Sequence, residues 1–239
     1  SQETAIPQRA TVVVVGGGIN GISVFRDLAL QGVDVVLLEQ SDFCSGASAA
    51  LSRMVHGGLR YLENGEFRLV RQSLQERDFL LRNAPHYVFP LPTLVPIFDT
   101  FQGSLASLKR FIGLGSGPSR RSAVMIKIGL TLYDWLSRKS RTMPAHEFVS
   151  RRKLRDMAPA LSPNAKFGAI YYDAWVKYPE RLGIEMILDT QQSCPNARAY
   201  SYVAVEGVNG ADIHWRDRLT GETGTITPDL VVNATGAWV

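Results

Sequence analysis

The stretch from Thr11 to Glu39, TVVVVGGGINGISVFRDLALQGVDVVLLE, constrains the fold more than any other part of the chain. Val12 to Val15 is a short, unbroken β-branched run, the mark of a strand buried on both faces of a parallel sheet. Gly16, Gly18 and Gly21 then form G-x-G-x-x-G where strand passes into helix. The three glycines answer to a tight turn, a close backbone approach to a pyrophosphate, and close helix–strand packing. A helix from about Ile19 to Gln31 presents free N–H groups and a positive dipole end to phosphates. Gly32 stops it, Val33 to Leu38 is a second strand, and Glu39 follows 18 residues beyond Gly21, where a carboxylate can accept from a ribose diol. The pattern predicts a dinucleotide site.

With 239 residues, 45% apolar and 20% charged, the chain is long enough for one large domain or two modest ones. Cys44 and Cys194 stand far apart with no C-x-x-C, which excludes a disulfide framework and a zinc site and favours a reducing compartment. The net charge of +4 is uneven: residues 105–155 hold twelve Lys/Arg against Asp134 and Glu147, so this block is +10 and the remainder −6. Such a block is either a solvated face or a site for an anionic membrane surface, the latter because Phe111 to Leu114 lies inside it. No nucleic-acid motif accompanies it.

Ser41 to Ser52 is a run of small residues that lets backbone approach a flat ligand. It leads into His56-Gly57-Gly58-Leu59-Arg60-Tyr61, a paired-glycine bend followed by a cation and a phenol. Glu66 to Ala84 predicts an amphipathic helix with Phe67, Val70, Leu74 and Leu81 on its apolar stripe, Asn64 as N-cap and Pro85 as stop. Val88 to Ile97 carries three prolines and predicts an edge strand or an extended domain crossing. Residues 99–122 read as a basic Gly/Ser-rich excursion, Met125 to Leu136 as a helix in which Tyr133 and Trp135 pack, and Val149 to Met157 as a basic helix. Gly168 to Val176 alternates like a strand, and Pro179 to Gln192 is a helix with proline in its first turn. Ala199 to Gly207 and Ile213 to Arg218 predict neighbouring antiparallel strands, joined to a turn at Leu219 to Glu222. Asp229 to Val232 predicts a buried strand running into Ala234-Thr235-Gly236.

Taken together, GGGINGISVFRDLALQGVDVVLLE, SGASAALSRMVHGGLRYLENGEFRLVRQSLQERDFLL, NAPHYVFP, IKIGLTLYDWL, YYDAWV and VVNATGAWV resemble the FAD-dependent glycerol-3-phosphate dehydrogenases and their oxidase relatives. HGGLRYLE is the specific element, whereas the glycine turn and the ATG are shared with many flavoproteins. Leu51-Ser52-Arg53 departs from a Ser-Ser-Lys common in the family. The resemblance implies an α/β fold: a Rossmann-type doubly wound FAD-binding domain at residues 8–90 and 225–239, and part of an antiparallel-sheet substrate domain at 91–224. It also implies that the chain is the N-terminal part of a longer protein, inactive by itself, with the catalytic base beyond Val239.

The cofactor would be FAD, held by Gly16, Gly18, Ile19, Asn20, Gly21, Glu39, Gln40, Ser45, Ser48, Ser52, His56, Gly57, Gly58, Ala234 and Gly236. Arg60, with Tyr61 beside it, would bind the phosphate of glycerol 3-phosphate, a dianion suited to a planar, always-charged, bidentate partner. The implied reaction gives dihydroxyacetone phosphate and passes electrons to a quinone at the cytoplasmic face of a membrane. Three rivals stand beside it: an oxidase using oxygen, an amine or amino-acid flavin oxidase, and a non-catalytic nucleotide-binding module.

Overall fold

The computed structural model describes residues 5–62, 66–98, 123–137 and 142–237, the side chains at 60, 62, 123–125, 136 and 137 excepted. The expected excursion at 99–122, Asn64, and seven of the twelve cations of the basic block, together with Phe111 to Leu114, lie outside the described residues. The chain forms two compact units, Ser1–Ser52 with Tyr178–Val239, and Arg53–Lys177.

In the first unit, β1 (Arg9–Val15), α1 (Ile19–Leu30) and β2 (Val35–Leu38) form the expected strand–helix–strand. β2 lies parallel to β1, with Val12 beside Val35 and Val15 beside Leu38. The parallel sheet extends on one side to β7 (Ala197–Tyr200) and on the other to β10 (Thr223–Asn233). β10 is long enough to serve two neighbours. Its residues from Thr227 onward pair with β1, while Thr223 to Ile226 pair antiparallel with β9 (Asp212–Asp217), which in turn pairs with β8 (Val203–Asn209).

Alternation along β1 and β2 sorts the core into two layers. Val12, Val14, Val35 and Leu37 pack with Ile22 and Phe25 of α1 and Ile187 of α6 (Pro179–Ser193). Val13, Val36 and Leu38 pack with Val203, Ile213, Trp215 and Ile226 of the antiparallel strands. Ile22 and Phe25 are fully buried, each contributing about 1.5–3 kcal/mol. The sheet is therefore covered by helices on one face and by strands on the other.

Two expectations are corrected in this unit. The single strand expected from Ala199 to Gly207 is two elements, broken at Tyr202, whose φ of 62° turns the chain out of the parallel sheet. The strand at Asp229 to Val232 forms, but Leu230 and Val231 are exposed because no described element covers them.

In the second unit, β6 (Phe167–Val176) is the central strand. It pairs antiparallel with β4 (Val88–Ile97) along its length, and with β3 (Met54–Val55) and β5 (Glu147–Val149) at its other edge. β4 is an edge strand, as its prolines require. Pro90, Pro92 and Pro96 fall at alternate positions, so the missing N–H groups lie together on the side away from β6. α2 (Leu59–Leu62), α3 (Phe67–Asn83), α4 (Ala123–Ser137) and α5 (Arg151–Met157) complete the unit, α5 being capped by Ser150 Oγ, which accepts from Lys153 N–H. Val149 belongs to β5 rather than to that helix.

The buried face of α3 differs from the expected stripe. Val70, Leu74 and Leu81 are buried, Phe67 is exposed, and Arg77 and Asp78 take the inner positions. Tyr133 is buried, while Trp135 is 63% exposed instead of packed. Because β3, α2, α3, β4 and β6 form one unit, the compact units do not follow the expected partition at 8–90, 225–239 and 91–224. Long-range pairing of β7, β8 and β9 draws residues 178–224 into the sheet of the first unit.

Candidate nucleotide site

A cavity of about 570 Å³ opens in the first unit at the carboxyl ends of β1, β2 and β10, the end of a parallel sheet where ligands bind. Its floor is glycine backbone. Gly16 has φ of 108°, and a Cβ there would come within 2.6 Å of the Ala234 carbonyl oxygen. At Gly21 a Cβ would overlap the Gly16 carbonyl oxygen, so this glycine lets α1 sit directly against the turn. Gly18 is different: its backbone is extended, and a Cβ would meet only Ser48 Oγ, at 3.4 Å, on the cavity wall.

The first N–H groups of α1 open toward the cavity without intrahelical acceptors. Ile19 N–H donates to Ser48 Oγ at 3.0 Å, so a loop residue caps a helix whose own N-cap is glycine. A hydroxyl that accepts this bond still has its own proton to donate to an anion. Glu39 is fixed in advance: its carboxylate accepts from Gly17 N–H at 2.6 Å and Ser41 N–H at 2.8 Å. A carboxylate has about four lone-pair sites, which leaves acceptor capacity for a pair of hydroxyls. Burial, reinforced by the charges of Glu180, Glu39 and Asp42, pushes the Cys44 thiol up to about 11, so it lines the cavity as a neutral thiol.

The cavity gathers most of the expected cofactor residues: Gly16, Gly18, Ile19, Asn20, Glu39, Gln40, Ser45, Ser48, Ala234 and Gly236. Gly21 stands behind its wall in the packing role. Ser52 does not line it. His56, Gly57 and Gly58 lie in the second unit, His56 exposed and the two glycines buried. Sequence reasoning missed Val203 and Val205, which reach the wall only because β8 folds across the sheet face, and Leu38; Ser41 and Cys44 line it from the expected small-residue run and Thr235 from the Ala234-Thr235-Gly236 segment.

In the second unit the paired-glycine bend opens α2. Tyr61 N–H donates to Gly58 O at 2.8 Å, and Gly58 has φ of 76°. Tyr61 is half-buried against the cluster of Val70, Leu74 and Tyr133, its ring centroid 6.4 Å from that of His56. Arg60 is in α2; its side chain is outside the described residues. Of the basic block, Lys153 pairs with Glu147, Arg151 donates to Pro163 O, and Arg155 donates to Leu161 O and Ser162 O, so these cations serve local structure. Among the described residues no helix is long and apolar enough to cross a membrane.

Parallel strands, a glycine turn into a helix and an acid closing the second strand define a dinucleotide-binding oxidoreductase fold. Residues 11–239 match the family described as FAD dependent oxidoreductase, and the chain belongs to it. FAD is accordingly its cofactor, and the backbone cradle at α1 with Glu39 beyond β2 fits that group. Similar proteins include glycerol-3-phosphate dehydrogenase of Synechocystis sp., 39% identical over 237 residues, 95% of this chain and 39% of that protein. D-erythritol 1-phosphate dehydrogenase of Brucella abortus is 34% identical over 236 residues, 98% of this chain and 43% of that protein. The chain thus spans about two fifths of the length of these curated relatives. Among solved structures, glycerol-3-phosphate dehydrogenase of Bacillus halodurans complexed with FAD shares the fold, with a TM-score of 0.62 at 24% identity over 97% of this chain and 35% of that one. L-proline dehydrogenase of P. horikoshii does so with a TM-score of 0.60 at 18% identity, covering 98% of this chain and 54% of that one.

Proposed function

We propose that the protein containing this chain oxidises sn-glycerol 3-phosphate to dihydroxyacetone phosphate and passes the electrons to a quinone. The observation that carries the reading is the segment His56 to Tyr61 on the bend and first turn of α2, within a chain 39% identical to a glycerol-3-phosphate dehydrogenase over 95% of its length. FAD, when bound, would supply the hydride acceptor for C2, with a base taking the C2 hydroxyl proton.

The chain's own residues bind and orient. In this reading Gly16, Gly18, Ile19, Asn20, Ser45 and Ser48 hold the pyrophosphate of the cofactor through backbone N–H and hydroxyl donors, and Glu39 holds the adenosine ribose. Arg60 reads the substrate phosphate and Tyr61 walls it. A simple amine oxidase has no anionic substrate group for such a cation to read, and an amino acid offers it a carboxylate in place of a phosphate. Arg60→Met in the full-length protein is expected to raise KM for glycerol 3-phosphate at least a hundredfold at unchanged FAD content. Unchanged KM would remove Arg60 from the phosphate site.

D-erythritol 1-phosphate is a second candidate, supported by the 34% identity to its dehydrogenase over 98% of the chain. Both are phosphorylated polyols, and the ratio of kcat/KM for the two decides between them. Oxygen or a quinone analogue added to the reduced protein names the acceptor.

A further inference from the structure

Beneath the bend that opens α2 lies a buried polar network, unusual in a unit otherwise closed by aliphatic and tyrosine side chains. One oxygen, Asp173 Oδ1 on β6, accepts from Gly57 N–H at 2.9 Å, Tyr133 O–H at 2.5 Å and Arg77 Nη1 at 3.3 Å. Arg77 Nη1 also reaches the Tyr133 hydroxyl at 3.0 Å and the Tyr172 carbonyl at 3.3 Å. Its other face meets Asp78 Oδ1 at 3.1 Å, which Thr142 Oγ1 approaches at 2.9 Å. Arg77 is 0% exposed, Asp173 1% and Tyr133 2%.

Stability alone is a poor reason for this arrangement. Taking a guanidinium and a carboxylate out of water costs several kcal/mol per ion, and well-packed apolar residues often replace such pairs without loss. What apolar residues cannot do is accept from Gly57 N–H, a buried backbone donor that would otherwise be orphaned. The bend has little freedom elsewhere. A Cβ on Gly57 would overlap the Tyr133 hydroxyl and Leu74, and one on Gly58 would lie 2.6 Å from Tyr61 Cδ2. Burial, then the Asp173 charge, pushes the Tyr133 phenol far above its ordinary value, so it remains a donor.

We infer that Asp173 is a positioning residue: held by Arg77 and Tyr133, its carboxylate fixes the Gly57 peptide and so sets the backbone of α2, the helix whose sequence carries Arg60 and Tyr61, for binding the phosphate of a phosphorylated polyol. This rests on the functional reading above. It assigns purpose to Asp173, Arg77 and Tyr133, none of which lines the cavity of the first unit. Misaiming a phosphate-binding pair weakens ground state and transition state alike, so the signature is a raised KM at nearly constant kcat.

The test uses the full-length holoenzyme, with rates expressed per bound flavin and a dye as acceptor. Asp173→Asn keeps the shape and removes the charge that Arg77 and Tyr133 hold. It is expected to raise KM for glycerol 3-phosphate at least tenfold with kcat within threefold of wild type. Tyr133→Phe deletes one hydroxyl and is expected to raise KM threefold or more. If Asp173→Asn fails to retain flavin, Tyr133→Phe decides by the same criterion. A purely structural role would lower Tm and flavin content and leave both KM and kcat per bound flavin untouched in both variants; that result overturns the inference alone. A fall in kcat at constant KM overturns it too, by moving the effect to the reacting centre. A wild-type protein that glycerol 3-phosphate does not reduce overturns the substrate reading, and this inference with it.

Discussion

Three glycines of one motif should fail in three different ways when replaced by alanine. Gly18 has φ of −76° and ψ of 175°, open to any residue, and its Cβ would meet one hydroxyl at ordinary contact distance. Gly18→Ala should cost about 1 kcal/mol or less, from poorer capping. Its methyl group stands on the cavity wall, however, where a pyrophosphate must approach backbone, and the loss should appear in FAD affinity. Gly21→Ala gains about 1 kcal/mol of helix propensity but drives a Cβ into the Gly16 carbonyl, a backbone atom that no rotamer change can move. Overpacking of that kind costs about 3 kcal/mol or more, so the net loss is about 2 kcal/mol or more. Gly16→Ala meets the Ala234 carbonyl at 2.6 Å and adds strain at φ of 108°, about 2–6 kcal/mol together. Urea unfolding followed by far-UV circular dichroism gives the stabilities, and flavin fluorescence titration gives the affinities. Gly18→Ala destabilising as much as Gly21→Ala, or Gly21→Ala leaving stability intact, would refute the division of labour.

Further outcomes follow from the same geometry. Glu39→Gln removes the charge from two short backbone hydrogen bonds and should weaken FAD binding about tenfold, read by equilibrium dialysis. The Cys44 thiol, raised by burial to about 11, gives the native state a proton that the unfolded state sheds sooner. Its stabilising contribution is therefore complete below the ordinary thiol range and is lost as pH climbs from there to about 11, and the rate of Cys44 alkylation, followed by mass spectrometry, should keep rising to about pH 11 instead of levelling off in the ordinary thiol range. Trp215→Phe should stay within about 1 kcal/mol of wild type in urea, because the buried indole N–H has no acceptor among the described residues and its removal offsets the lost packing. A loss above about 3 kcal/mol, typical of a core truncation, would contradict that balance.

The first unit was readable where local rules and tertiary demands coincide. A β-branched run, three spaced glycines and an acid each have a local reason for their position, and β1, α1, β2 and Glu39 follow from them. The prolines of Val88 to Ile97 announced an edge because a missing N–H is a local fact. What stayed hidden depends on distant partners. Arg77 and Asp78 had no place in the expected apolar stripe, since hydrophobic periodicity has no means to register a cation buried against Asp173, 96 residues further on. Tyr202 adopts a positive φ without being glycine, so the break between β7 and β8 left no mark in composition. Val203 and Val205 are ordinary strand residues until β8 crosses the sheet and turns them toward the cavity. Of the site, the backbone cradle was legible and the support beneath the His56 to Tyr61 segment was not.

The most direct measurement is the anaerobic visible spectrum of the full-length protein before and after glycerol 3-phosphate. A yellow protein that bleaches with glycerol 3-phosphate, and not with glycerol or an amino acid, is the expected result. A yellow protein that stays oxidised contradicts the dehydrogenase reading and leaves a flavoprotein of other specificity.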